Sequence, residues 1–317
     1  MLTLRVRSIT YEAEGILSFE LVDPEGRELP AFDAGAHLDV HVPGGMTRRY
    51  SLCDPPWERD HYRIAVLDAP DGRGGSRAMH QRVRAGDLLD VSGPHNFFPL
   101  AAGARHSVLL AGGIGITPIL AMMEQLRRTG QSFELHYCTR TRERSAFADR
   151  LASEVADGRA RLHHDGGDPR NGLDIAGLLR SPREGTHLYY CGPPGFMKAA
   201  QEAAAHWPPE TVHFEHFGAI PPSAGSAATA GDGGEVVLER SGRRIPVGPA
   251  QTILQAVREA GIDYPSSCEA GMCRTCEVRY VGGRPEHNDF VLSEEERQTH
   301  VLICCARVGD GALVLDL

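Results

Sequence analysis

Lysine is almost missing from this chain: of 33 basic residues only Lys198 is a lysine, and the rest are arginine. A bias of that kind reflects genome composition rather than function. With 42 acidic residues the net charge is −9, and an acidic surface excludes a general nucleic-acid binder while permitting a protein partner. No apolar run approaches the ~20 residues of a membrane span, so no membrane anchor is expected. The opening stretch MLTLRVRSITYEAEG alternates like a strand and lacks a charged region followed by an apolar one, so no targeting leader is expected either. No internal repeat is present, which excludes solenoids and propellers. Eight cysteines do not amount to a disulfide framework in a chain of 317 residues without a leader, and a reducing cytoplasm is the expected location. At that length two or three domains are expected, each with enough apolar residues for a core.

What is present is concentrated near the end. Cys268, Cys273 and Cys276 stand at C-x4-C-x2-C spacing, followed within thirty residues by the adjacent Cys304 and Cys305. This is the ligand spacing of a plant-type 2Fe–2S centre. Two irons need two thiolates each, and one tight loop can deliver three of the four. Ala270 and Gly271 let that loop curl close to the sulfurs, and the fourth thiolate arrives from another segment. Zinc is the competing reading, but it favours paired C-x2-C steps or Cys with His, and only one C-x2-C step occurs.

Upstream, three regions differ in period. Residues 1–103 carry alternating segments near 2–9, 15–22, 36–42, 48–53, 62–68 and 88–92, separated by turn signals, with a helix near Arg77–Arg84. An antiparallel β-barrel is expected. Residues 104–219 alternate apolar strands with amphipathic helices, which implies an α/β domain with a parallel sheet covered on both faces. Residues 220–234 (IPPSAGSAATAGDGG) read as a flexible linker, and 235–317 as an α+β domain holding the cysteine loop.

Four further motifs suggest chemistry, and three of them have a plainer alternative. Arg48-Arg49-Tyr50-Ser51-Leu52 ends a barrel strand and offers charge, an aromatic and a hydroxyl to a flavin; an ordinary strand would look the same. Gly74-Gly75-Ser76 opens a helix, where free N–H groups and the dipole bind an anion, although a glycine turn with a serine cap is equally open. Gly112-Gly113-Ile114-Gly115-Ile116-Thr117-Pro118 follows the first parallel strand, where a pyrophosphate belongs. Pro118 suits a first helical turn, and Thr117 is the expected N-cap. Cys191-Gly192-Pro193-Pro194-Gly195 ends a later parallel strand, and a small thiol beside glycine leaves room for a flat nicotinamide ring; a buried packing cysteine is the alternative. Cys53 and Cys138 are expected to be core packing.

These motifs, in this order and covering essentially the whole chain, resemble the phthalate dioxygenase reductase family, which includes vanillate O-demethylase reductases. The resemblance implies FMN, NADH and a β-grasp ferredoxin domain at the C-terminus. It implies that Arg48, Arg49, Tyr50 and Ser51 hold the flavin, that Val66, Leu67 and Asp68 border its ring, and that Gly74, Gly75, Ser76 and Arg77 take its phosphate. Gly113, Gly115, Thr117, Cys191, Gly192 and Pro193 would serve the nicotinamide, and Phe217 would cover the flavin; Phe217 as a core residue of the last strand is the other reading. The family pattern before the final strand fits Cys304-Cys305-Ala306-Arg307 with Cys304 as fourth ligand, Ala306 replacing the usual Ser. Strand alternation agrees, placing Cys304 with Leu302 and Cys305 opposite.

The implied function is a reductase that takes hydride from NADH and passes single electrons to a Rieske-type oxygenase. Plant-type centres lie near about −400 mV and Rieske centres at about −150 mV or above, a gap of at least roughly 250 mV. At about 59 mV per decade, that favours forward transfer by about four decades or more. A stand-alone flavin reductase acting on a small acceptor is the alternative, although it would make the ferredoxin superfluous. A cluster-based redox sensor is a third reading, and the hydride-handling motifs argue against it. The choice of NADH over NADPH stays open in the sequence, because Arg140, Arg142 and Arg144 follow the second parallel strand where a 2′-phosphate would sit.

Overall fold

The computed structural model describes every residue except 71, 73, 218–232, 250, 267, 268, 270, 272, 273, 290 and 310. Two compact units are present, Met1–Glu215 and His216–Leu317.

The first unit opens with six strands: β1 (Leu2–Ala13), β2 (Ile16–Val22), β3 (Ala36–Val42), β4 (Met46–Ser51), β5 (Tyr62–Leu67) and β6 (Leu88–Asn96). They form one antiparallel sheet in the order β4-β3-β6-β1-β2-β5. The sheet curls until its two edges meet, where Leu52 bridges to Ile64. Period-two alternation explains the curl's interior: Leu4, Val6, Phe19, Leu21, Leu38, Val40, Ile64 and Val91 all turn inward. Helix α1 (Gly75–Arg82) adds Met79 to this core, and Val83 follows it.

Five parallel strands follow: β7 (His106–Gly112), β8 (Ser132–Thr139), β9 (Ala160–His164), β10 (Thr186–Cys191) and β11 (Val212–Glu215). Their order is β11-β10-β7-β8-β9. The chain moves outward from β7 to β9 and then returns to the other side of β7. Right-handed crossovers therefore place α2 (Ile116–Thr129) and α3 (Ala152–Ala156) on one face. On the other, α4 (Ile175–Leu179) and α5 (Pro194–Ala203) pack Leu179, Met197 and Ala200 against Val108, Leu110, Leu188 and Tyr190. The helix expected around 146–156 begins as a 3-10 turn, Ala148–Leu151, and becomes α-helical only over Ala152–Ala156. The last strand stops at Glu215, so His216 and Phe217 lie beyond it.

In the second unit β12 (Gly234–Leu238) and β13 (Arg244–Val247) form a hairpin. Helix α6 (Ile253–Glu259) follows, started by a capping box between Thr252 and Gln255. Next come β14 (Glu277–Gly282), β15 (Pro285–Glu286), β16 (His300–Leu302), β17 (Arg307–Val308) and β18 (Ala312–Leu315). The main sheet runs β13-β12-β18-β14-β16, with β12 and β18 parallel at its centre. The expected acidic helix at SEEERQ is a single 3-10 turn, Glu296–Gln298. The segment expected to be a linker lies outside the described residues through position 232, and Gly234 already belongs to β12.

Candidate functional site

The reversal of strand order places a crevice between the carboxyl ends of β7 and β10, the position where open parallel sheets bind ligands. Both glycine motifs sit there. A Cβ on Gly115 would lie 2.1 Å from the Cys191 carbonyl oxygen and 2.7 Å from the Gly192 nitrogen. A Cβ on Gly192 would lie 3.0 Å from the Gly112 Cα and 2.6 Å from the Phe196 ring. The two turns thus cross backbone to backbone, which only glycine allows. Gly113 has φ +53° and nothing near its missing Cβ, so it serves the turn's conformation and not its packing. Thr117 is not the N-cap. Helix α2 begins at Ile116 with Gly115 as its cap, and Thr117 lies one residue inside, its hydroxyl donating to the Ile114 carbonyl at 3.1 Å. The reason is the 3-10 turn Gly113–Gly115, which winds the chain before the threonine is reached.

The curled sheet presents its own cluster at β4 and α1. The Arg48 side chain lies over Gly75, whose added Cβ would come within 2.5 Å of the Arg48 Nε. Gly74, left-handed at φ +89°, caps the helix. The two motifs that suggested a flavin and its phosphate are therefore in contact. Arg49 is held by Asp39 at 3.7 Å and lies over the Phe97 ring. The Tyr50 hydroxyl and one Asp68 carboxylate oxygen are buried with no hydrogen-bond partner among the described residues. Orphaned polar atoms of this kind, beside an arginine over a glycine turn, fit a polar ring and its phosphate at this place. Val66 is buried and its carbonyl is bonded by His80 at 2.8 Å, whereas Leu67 is exposed. The Ser76 hydroxyl accepts from the Ala69 N–H at 3.2 Å, and the exposed Arg77 donates to the Pro70 carbonyl.

The two clusters are joined by a residue that the sequence did not single out. Glu215, at the end of β11, is buried and accepts a 3.0 Å hydrogen bond from Ser51. Burial pushes its carboxyl up to about 7, opposed by the Ser51 hydrogen bond and the Arg49 charge. Cys191 is fully buried, and burial together with Glu215 pushes its thiol well above the ordinary range, so it stays protonated. An unfolded chain ionises glutamate near its ordinary value of 4.5, while the folded chain resists until about 7. The folded state therefore loses stability as pH rises between those values. Glu215→Gln removes that loss: urea unfolding should show the variant gaining about 2 kcal/mol on the wild type between pH 5 and pH 8. No change in that difference would mean the carboxylate is solvated.

Among the described residues a second polar cleft, of about 490 Å³, is lined by Asp54, Glu58, His61, Arg63, Arg127 and Arg150. Asp54, Glu58 and His61 come close enough to suggest a cation. Yet the Asp54 carboxylate already accepts from His61 at 2.8 Å, Arg63 at 2.7 Å and Arg150 at 2.7 Å, which satisfies it internally. Cys53 is buried and Cys138 half-buried, as packing cysteines would be; burial raises both thiols, that of Cys138 to about 12.

In the second unit Cys276 and Cys304 are 2% and 5% exposed and share one core with Val278, Leu302 and Ile303. Cys268, Met272 and Cys273 lie outside the described residues. Strand β16 ends at Leu302, so Cys304 and Cys305 sit in a turn and alternation does not separate them. What does is burial: Cys305 is half-buried and its thiol bonds the Leu302 carbonyl at 3.4 Å. Gly271, at φ +70°, closes the loop against Asp289 and the Cys305 sulfur, each 2.9 Å from where a Cβ would be. Arg274 on the rim is held by Glu277 at 2.7 Å and Glu296 at 2.6 Å.

A 2Fe-2S iron-sulfur cluster binding domain model matches residues 236–309. The reductase subunit of tert-butanol monooxygenase / tert-amyl alcohol desaturase from Aquincola tertiaricarbonis is 48% identical, covering 100% of this chain and 96% of that protein. The vanillate O-demethylase oxidoreductase of a Pseudomonas species is 43% identical over 100% of both chains. The chain belongs to the phthalate dioxygenase reductase family. A solved phthalate dioxygenase reductase, described as a modular structure for electron transfer from pyridine nucleotides to [2Fe–2S], superposes with a TM-score of 0.78 at 41% identity, covering 100% of this chain and 98% of that one. Like other phthalate dioxygenase reductase family members, this chain is an electron-transfer oxidoreductase with a curled antiparallel sheet, a parallel sheet and an iron–sulfur domain. No helix among its described residues is long and apolar enough to cross a membrane.

Proposed function

We propose that this chain is the reductase component of an oxygenase system, carrying electrons from NADH through FMN and a 2Fe–2S cluster to a Rieske-type oxygenase or demethylase. The observation that carries the reading is the meeting of three motif sets in one unit: Arg48 over Gly75, Ser51 on Glu215, and Gly115 against Cys191. The domains are then an FMN β-barrel at 1–103, a nicotinamide domain at 104–219 and a β-grasp ferredoxin at 235–317, joined by the linker at 220–234. The parallel pairing of β12 and β18 supports the β-grasp assignment.

FMN, once bound, supplies the conversion of a two-electron hydride into single electrons. The residues position and neutralise. Arg48 and the N–H groups of Gly74, Gly75, Ser76 and Arg77 would hold the phosphate; Arg49, Tyr50, Ser51, Val66, Leu67 and Asp68 would line the ring. The crossing of Gly112 and Gly115 with Cys191, Gly192 and Pro193 brings the two turns together where a flat nicotinamide would lie, and Gly113 and Thr117 would serve the same site. Phe217 is assigned to the same site on resemblance alone. Cys268, Cys273, Cys276 and Cys304 would ligate the cluster. Arg144 is engaged by Glu14 at 2.9 Å, which removes one of the three arginines that could meet a 2′-phosphate, and NADH is assigned on the family resemblance.

The test is spectroscopic. NADH added anaerobically to the purified protein should bleach flavin and 2Fe–2S absorbance together, with NADPH slower by about tenfold or more, the discrimination of one misplaced charge. Loss of the flavin band alone, with rapid reduction of a small acceptor and no transfer to an oxygenase, would favour a stand-alone flavin reductase. If neither band responds, the proposal fails.

A further inference from the structure

His37, on β3, has none of its surface exposed, and neither ring nitrogen has a hydrogen-bond partner among the described residues. Such an orphan in a close-packed core asks for an explanation. Its neighbours provide one. His37 stands opposite Ser51 across β4 and opposite His95 across β6. Its Nδ1 lies 3.9 Å from Oε1 of Glu215, the oxygen that Ser51 does not use, since Ser51 donates to Oε2. A small rotation of the carboxyl closes that gap to hydrogen-bonding distance. On its other side the ring meets His95 at a centroid distance of 6.0 Å and Phe97 at 5.5 Å. The His95 side chain is 44% exposed, so the ring next to His37 reaches water, with no hydrogen bond joining the two rings.

We propose that His37 is the positioning residue and proton partner of Glu215, linking that buried acid to solvent through His95. The inference rests on the reading that the Ser51 strand lies against the flavin. A neutral imidazole has one donor and one acceptor nitrogen and can exchange them. The same ring therefore donates to Glu215 when it is ionised and accepts from it when it is protonated. The proton balance gives this a purpose. Each NADH oxidised to NAD⁺ delivers one hydride, and its two electrons leave singly for the cluster. One H⁺ must then leave the same place for water. The other charged groups near the pair are Arg49, over the Phe97 ring, and Asp39, 3.7 Å from Arg49 and 3.9 Å from His95. The Cys191 thiol stays protonated and does not compete. Burial and the Arg49 charge hold His37 down at about 2, so a proton gained near neutrality is stored on Glu215.

The experiment is an infrared pH titration of the full-length flavoprotein without NADH, with the carboxyl band assigned by its loss in Glu215→Gln. The wild-type band should titrate near neutrality. In His37→Phe the carboxylate loses its donor, and the midpoint should rise by about one unit or more, at least a tenfold change in proton affinity. In His37→Gln, whose amide still donates, it should stay close to wild type. The pH profile of flavin reduction by NADH in stopped flow should move with the midpoint in His37→Phe. An unmoved midpoint in folded His37→Phe overturns the proposal. If that variant does not fold, nitrogen-15 spectra of the wild-type ring read the same contact: both His37 nitrogens should shift as Glu215 titrates, and no shift overturns the assignment. Failure of NADH to reduce the flavin at all would sink the functional reading instead, while the infrared result would still judge the pair.

Discussion

Replacing Cys304 with serine should abolish transfer to an oxygenase or to cytochrome c, by on the order of 100-fold or more, while NADH–ferricyanide activity stays within about twofold. A thiolate ligand cannot be replaced by a hydroxyl without loss of charge donation to iron, and Cys304 is sealed in the same core as Cys276. The flavin and nicotinamide residues proposed above all precede residue 218, so hydride uptake has no reason to follow. Cys305→Ser is the control. Its thiol bonds a backbone carbonyl and packs at Gly271, so the variant should keep its visible spectrum at a modest cost in stability. The pair of variants is read by visible absorbance and by electron paramagnetic resonance of the reduced protein. Reversal of the two outcomes would move the fourth ligand to Cys305.

Gly115→Ala should be strongly damaging to NADH-dependent flavin reduction. The added methyl would lie 2.1 Å from the Cys191 carbonyl oxygen and 2.4 Å from its carbon. Both are backbone atoms of a central strand, so no rotamer relieves the overlap. Either the start of α2 or the end of β10 must move. Overpacking of this kind costs about 1–3 kcal/mol, and a displacement of about 1 Å at a hydride-transfer site costs on the order of 100-fold in rate. The expected result is a loss of that size in NADH-dependent flavin reduction, with the 2Fe–2S spectrum unchanged. Gly113→Ala separates packing from conformation. Its φ of +53° imposes about 1–2 kcal/mol of left-handed strain, but nothing stands in the way of its Cβ. It should therefore lower the melting temperature and leave the reduction rate within a few fold. If folded Gly115→Ala reduced its flavin normally, the crevice between β7 and β10 would not be the nicotinamide site.

Much of the architecture was legible in the residues. Period-two alternation located all six strands of the curled sheet, because strands with one wet face must alternate. Near-continuous apolar runs such as SVLLA and HLYYC located the parallel strands, which are buried on both faces. Local chemistry was less reliable at ends. Thr117 looked like a cap by residue type, yet a preceding 3-10 turn starts the helix earlier. Alternation at Cys304 had no strand to act on, since pairing stops at Leu302.

The amino-acid sequence by itself determined the cysteine spacing of the proposed ligand loop, the order of strand-rich, alternating and C-terminal regions, and the glycine turns, because each depends on spacing along a short stretch of backbone. Tertiary structure alone decided what those turns meet. Glu215 reads as an unremarkable strand residue in His-Phe-Glu-His-Phe, and His37 as one more inward position in β3. They become a coupled pair only because the end of β11 is brought to a serine 164 residues earlier in the chain. Burial then removes water from both, which leaves the carboxyl its Ser51 hydrogen bond and the imidazole as the polar group facing its other oxygen. Spacing can specify a ligand loop, but desolvation of a distant pair is a property of the folded core.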